Sequence, residues 1–140
     1  MERDRAERLI EDWNELHLTV EAPTPDAARS VIRMLATLPE PHAAAAIAGA
    51  DERPRIAALA DDALFLVWAA PGSSGGARCR RIPLQCGTTT LELSERRDRG
   101  RTIRHWSFEL DQEPLVFRTT GDDEGERFAR ALAGELGWPQ

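Results

Sequence analysis

The 140-residue chain reads as an α+β protein, mainly β. Two N-terminal helices precede seven antiparallel strands, and a C-terminal helix closes the chain. Three observations carry that reading. Apolar residues recur at helical spacing only near the two ends. From about His42 to Thr119 the pattern changes to short apolar or alternating runs parted by turn residues. Those runs follow one another through short links, which favours an antiparallel meander. Seven strands suffice to bend into a sandwich or a partly open barrel, with the last helix capping one end.

Residues 2–16 form the first expected helix. Leu9, Trp13 and Leu16 share one face, with Ile10 beside them, while Glu and Arg fill the other. Residues 1–16 hold six acids and three arginines, so this helix is a poor membrane anchor. It covers an open face of the sheet or meets a partner helix. A short extended piece, Leu16–Val20, leads to the break at Pro23 and Pro25. Thr24 is placed to cap a second helix, Pro25 fits its first turn, and Asp26 favours the positive end of the dipole. This helix runs to about Leu38, with Ala28, Val31, Ile32 and Leu35 inward, and Pro39 and Pro41 stop it. Residues 1–37 thus stand as a helical extension and residues 38–140 as the main domain.

The strands come next. Ala43–Ala48 is an apolar run of small residues, a weak strand by propensity. Arg55–Ala60 and Ala63–Ala69 flank Asp61-Asp62 as a tight hairpin. Leu64–Trp68 is apolar on both faces, so a second layer is expected over its outer side. Pro71–Gly76 is a flexible loop. Arg78–Leu84, Thr88–Ser94, Thr102–Leu110 and Leu115–Thr119 complete the set, with Glu95–Arg101 read as a charged loop. In Thr102–Leu110 the residues Trp106, Phe108 and Leu110 point one way, and His105, Ser107 and Glu109 the other. The last helix runs from about Asp122 to Leu136. Phe128, Leu132 and Leu136 make its buried face, Asp122, Asp123 and Glu124 its acidic first turn, and Gly137 and Pro139 its end.

Composition narrows the chemistry. The apolar fraction is 41% and the charged fraction 30%, as in a soluble globular domain. No apolar run approaches the ~18–20 residues of a bilayer-crossing helix. The first residues are too polar for a secretory signal, so the expected location is cytoplasmic. All 18 basic residues are arginine, a composition typical of GC-rich bacterial genomes. No lysine is present for a Schiff base or a phosphate loop. Cys79 and Cys86 form no ligand motif and read as reduced thiols in or near the core. His17, His42 and His105 are scattered, and the acidic clusters fit a turn and a helix start. No motif calls for a metal or a cofactor, and the chain is expected to be non-enzymatic.

At this point the chain resembles a bacterial pleckstrin-homology-like domain over residues 38–138. Leu38-Pro39-Glu40 before an apolar strand resembles the entry of such domains. Ile56–Val67, with its short Asp61-Asp62 turn, resembles their second and third strands, and Arg81-Ile82-Pro83-Leu84 the strand after the long loop. The resemblance implies two near-orthogonal sheets, a C-terminal helix plugging one corner, and a binding module for proteins or membrane lipids. Lipid-binding members use basic residues around the first two strands. Here that hairpin carries Asp61 and Asp62, with Arg53 and Arg55 nearby, a departure from the lipid-binding pattern.

One charge feature stands out. The net charge is −6, yet the segment from Arg78 to Arg104 holds eight arginines (Arg78, Arg80, Arg81, Arg96, Arg97, Arg99, Arg101 and Arg104) against three acids. An acidic body with one basic segment presents an oriented field. Guanidinium groups pair bidentately with carboxylates and phosphates. These eight residues are therefore the candidate partner- or anion-binding set. The expected partner is an unidentified protein with an acidic segment, and an anionic lipid surface is the second choice. Nucleic acid is disfavoured by the negative total charge and the lack of interleaved aromatics. The competing readings are an immunity-type or regulatory protein that neutralises a specific partner, and a small ligand-binding protein or enzyme on another α+β fold.

Overall fold

The structure, a computed structural model, describes residues 1–14, 24–48, 54–70, 76–84, 90–110, 113–119 and 124–137. Among these residues there are three helices: α1 (Arg3–Asn14), α2 (Pro25–Ala36) and α3 (Glu124–Glu135). One antiparallel sheet holds β1 (Ala43–Ala48), β2 (Pro54–Leu59), β3 (Ala63–Ala69) and β4 (Ala77–Pro83) in sequence order. A second holds β5 (Thr90–Asp98), β6 (Arg101–Leu110) and β7 (Glu113–Thr119), also in order. The α+β, mainly β class is as expected. A closed barrel is not formed, since no described ladder joins one sheet to the other.

Strands β1–β3 of the first sheet are buried on both faces. Ala45, Ile47, Ala57, Leu59, Leu64, Leu66 and Ile82 face a core shared with Trp106, Phe108, Leu110 and Leu115 of the second sheet and with Phe128, Ala129, Leu132 and Ala133 of α3. Ala44, Ile56, Ala58 and Val67 face the opposite way, onto Leu9, Ile10, Val31 and Leu35 of the N-terminal helices. The pairings Ala45↔Ala57↔Leu66 and Ala46↔Ile56↔Val67 set these faces. The layer expected over β3 is therefore α1 and α2: α1 lies over β1 and β2, α2 over β3 and β4.

Local chemistry starts and ties these helices. Thr24 is extended (φ −64°, ψ 159°), and its Oγ1 accepts the Ala27 N–H at 3.2 Å. That satisfies one of the free donors at the start of α2. Arg5 of α1 donates to Glu40 Oε1 at 3.1 Å and to the Pro41 carbonyl at 3.2 Å, which fixes α1 to the chain entering β1.

Two expectations need correction. Glu95–Arg101 is not a loop. β5 runs through Asp98, and a two-residue turn, Arg99-Gly100, leads straight into β6. Both turn residues have positive φ (51° and 81°), the backbone of a type I′ turn that matches the twist of the strands. Cys79 is not in the core. It lies on the edge strand β4 with its side chain exposed. Trp13, whose side chain is not described, and Leu16, Cys86, His17 and Asp122-Asp123 lie outside what the structure describes.

Leu35 is fully buried between α2 and the sheet. Leu35→Ala will cost about 2–5 kcal/mol, the transfer term plus the cavity left behind. Because the helices and the sheet share this core, far-ultraviolet and tryptophan signals will still melt together at one lowered midpoint. A sheet signal that keeps the wild-type midpoint would show the helical pair to be independent.

Candidate functional site

The basic segment divides between the two sheets. Arg78, Arg80 and Arg81 sit on β4, whose described ladder is with β3 alone. Arg81 reaches Asp62 at 3.1 Å. Asp61 meets His42 across the same β2–β3 turn. The Asp61-Asp62 pair is thus engaged with its own neighbours. Arg80 is half-buried opposite Leu66, and Arg78 is exposed opposite Trp68. Arg55 of β2 stacks over the Trp68 ring with its guanidinium carbon 4.9 Å from the centroid.

The other five arginines lie on the β5–β6 hairpin. β5 pairs with β6 from Thr90↔Glu109 to Asp98↔Arg101, whereas β7 pairs only with Arg104–Leu110. Beyond Arg104 the described hairpin is therefore two strands alone, an arm ending in the Arg99-Gly100 turn. Arg96, Arg97, Arg99 and Arg101 are all exposed on it. Among the described residues, no carboxylate comes within ion-pair distance of these four. Arg96 instead donates its Nε–H to His105 Nε2 at 3.3 Å. A hairpin without a third strand is marginal by itself, so the root of the arm has to hold it.

Arg104 forms that root. Its Nε donates to Glu95 Oε1 at 2.7 Å and one terminal NH donates to Glu126 Oε1 at 2.6 Å. Arg104 is therefore engaged inside the protein, unlike the four arginines beyond it. Glu126, on α3, is only 2% exposed. It also accepts from Arg130 Nε at 3.0 Å and from the Thr119 hydroxyl. Thr119 Oγ1 in turn accepts the Trp106 indole N–H at 2.9 Å. Burial opposes ionisation of Glu126, but the Thr119 hydroxyl and the charges of Arg104 and Arg130 outweigh it. Its carboxyl pKa falls below the ordinary value. Arg104 moves up, led by its hydrogen bond to Glu95.

Sequence reasoning missed Glu126 and Thr119. One signal for Glu126 was legible: it lies three residues before Ala129 and seven before Ala133, the small buried residues of α3. Nothing local marks Thr119, because its role depends on the register that sets it opposite Arg104.

Among the described residues, the outer face of the second sheet has no such neutralising set. A shallow groove of about 400 Å³ runs over it, with Glu92, Ser94, His105, Ser107 and Val116 among its lining residues. Val116 is 40% exposed, one of two large apolar side chains left so open among the described residues. A second groove, about 260 Å³, opens between α1 and α2 beside Arg3, Arg29, Ile32 and Arg33. There Arg3 and Arg29 are each met by a carboxylate of their own helix, Glu7 and Asp26. Partial desolvation raises the Cys79 thiol pKa from its ordinary value. Among the described residues no three His, Cys, Asp or Glu side chains gather as metal ligands. No described helix is long and apolar enough to cross a membrane. No protein-family model, curated protein or solved structure matches the chain.

Glu126→Gln keeps the shape of the side chain and removes its charge. It will cost ~2–3 kcal/mol, less than the ~3–5 of a fully buried pair, since Arg104 keeps Glu95 and some solvent. The acid limb gives the sign. With the folded pKa depressed, the ionised form stabilises the fold above the unfolded value of about 4.3. That contribution is lost as pH falls through the lower folded pKa. Urea midpoints of wild type and variant will therefore converge toward low pH. A constant gap across the pH range would show that the charge is not what matters.

Proposed function

We propose that the chain is a non-enzymatic binding module whose β5–β6 arm recognises an acidic protein segment. The observation that carries this reading is the arm itself. Four exposed arginines, Arg96, Arg97, Arg99 and Arg101, stand on two strands beyond the third, with one aspartate, Asp98, among them. An internal structural role would pair them with the acidic body, as it does Arg104. A four-stranded and a three-stranded antiparallel meander followed by a helix also supports a pleckstrin-homology-like core. In this reading the N-terminal helices serve the fold, since their apolar faces are spent on the first sheet.

An acidic protein segment fits better than a lipid surface. The hairpin arm is narrow, and the arm tip shows no exposed large apolar side chain to enter a bilayer. Extended acidic peptide can follow a strand and meet guanidinium groups on both of its faces.

The test uses a poly-glutamate peptide and vesicles with anionic or neutral headgroups, at low and at physiological salt. The peptide will bind, more weakly as salt rises, and the fourfold Arg→Glu variant at 96, 97, 99 and 101 will lose at least tenfold in affinity. Binding to anionic vesicles without binding to the peptide would replace this reading with a membrane-surface module. Peptide binding unchanged in the variant would remove the arm from it.

A further inference from the structure

The outer face of the second sheet carries an arrangement that the arm alone does not explain. The ladder sets Ser94 of β5, His105 of β6 and Arg118 of β7 side by side in one row. Arg96, one same-face position along β5, holds the His105 ring through its 3.3 Å hydrogen bond to Nε2. That bond requires an unprotonated Nε2 and places the ring proton on Nδ1. A histidine is thus flanked by a guanidinium from each neighbouring strand.

Among the described residues, the row has a basic neighbour toward the arm tip and an acidic one on the other side. From β5 the neighbours of His105 are Ser94, with Arg96 and Glu92 one same-face position to either side; from β7, Arg118 and Val116; along β6, Ile103 and Ser107. The His105 ring bonds Arg96 on the tip side; Glu92 is level with Ser107, Glu109 is level with Pro114, and Asp98 is at the tip opposite Arg101. Neither Arg96 nor Arg118 has a carboxylate at ion-pair distance among the described residues. Arg96 and Arg118 stand on the strands to either side of β6, so two like charges repel across His105. An anion would relieve them, and would let His105 take a proton from solvent and donate as well.

We infer that Arg96, His105 and Arg118 form a pH-gated seat for a tetrahedral oxyanion, a phosphate monoester or free phosphate or sulfate. Adjacent strands are about 4.8 Å apart, so three donors from three strands reach three oxygens of one tetrahedral group. A planar carboxylate has only two oxygens to offer. The Ser94 hydroxyl stands at the edge of the row as a neutral donor. Protonation frees His105 Nε2 from Arg96 and turns both toward the anion. Binding therefore strengthens as pH falls through the range in which histidines titrate. The seat shares Arg96 with the proposed arm, and a phosphorylated residue in an acidic partner would join the two. The seat itself does not depend on that partner.

Sulfate is the first probe, because it stays a dianion over the whole range and leaves the pH dependence to the protein. We would follow the His105 ring by NMR, assigned through His105→Gln, with chloride replaced by sulfate at constant ionic strength. Sulfate will bind about tenfold tighter near pH 5.5 than near pH 8. In His105→Gln, whose amide oxygen still accepts from Arg96, affinity will stay at the high-pH level throughout. Arg118→Gln will weaken binding at both pH values. Equal affinity at the two pH values, or a response to chloride as large as that to sulfate, would overturn the seat. In the second arm, an acidic peptide is compared with the same peptide carrying one phosphoserine. A preference of tenfold or more for the phosphopeptide assigns the oxyanion to a partner; equal binding of the two, with sulfate bound, assigns it to free anion. Peptide binding that survives while sulfate fails would end the seat and leave the arm standing. Sulfate binding without peptide binding would do the reverse.

Discussion

The buried carboxylate of Glu126 is the constraint on which the second half of the fold depends. Moving a charged group out of water costs several kcal/mol unless partners replace the lost hydration. Here Arg104, Arg130 and the Thr119 hydroxyl supply them. These partners belong to β6, α3 and β7, and Arg104 carries the connection on to Glu95 of β5. One side chain therefore ties the last helix to every strand of the second sheet. Thr119 completes the account by taking the Trp106 indole proton, so a buried tryptophan is left with no unmet donor. An apolar residue at position 126 would pack as well, but would leave Arg104 with a single partner, Glu95.

Those alanines are the second half of the same design. Ala44, Ala45, Ala57 and Ala58 are buried in β1 and β2, and Ala129 and Ala133 in α3. Small side chains on both faces let a helical layer approach the sheet closely from each side. Over β1 the large buried side chain is Ile47, which joins the core shared with Phe128 and Leu132 of α3. Direction-specific contacts add to this packing: Arg5 on Glu40 and Pro41 for α1, and Glu126 for α3.

Much of this architecture could be read from residue pattern, and the exceptions are physical. The two-faced apolar run Leu64–Trp68 called for a covering layer, and α2 supplies it. Ala43–Ala48 forms a strand against alanine's weak propensity because burial on both faces outweighs it. Glu95–Arg101 read as a loop because charge masks strand periodicity when neither face is buried. What makes it a strand is pairing with β6 and the Arg99-Gly100 turn, and a pairing partner is not a local property. The candidate arginines were visible as a group. Their division between an arm and the edge of another sheet was not, since it depends on where β4 ends one meander and β5 starts the next. His105 and Arg118 were passed over for the same reason: only the register makes them neighbours.

The arm's length bears on how its charge acts. Asp98 and Arg101 stand three ladder positions beyond Arg104, which at about 3.3 Å per residue places the tip ~10 Å from the root. That is close to the Debye length at physiological salt. At the root, Arg104 and Arg130 offset Glu95 and Glu126, so the network projects little net field along the arm. Farther off, the acidic remainder of the chain is screened from the tip. The four arginines therefore present a local basic element, although the molecule as a whole carries −6. At low salt the same acidic body reaches the arm and competes with any acidic ligand. Attraction by the arm and repulsion by the body then weaken together as salt rises, and the body's share fades first because it acts from farther away. On the proposed reading, a partner that touches only the arm is favoured over one that spreads onto the acidic body.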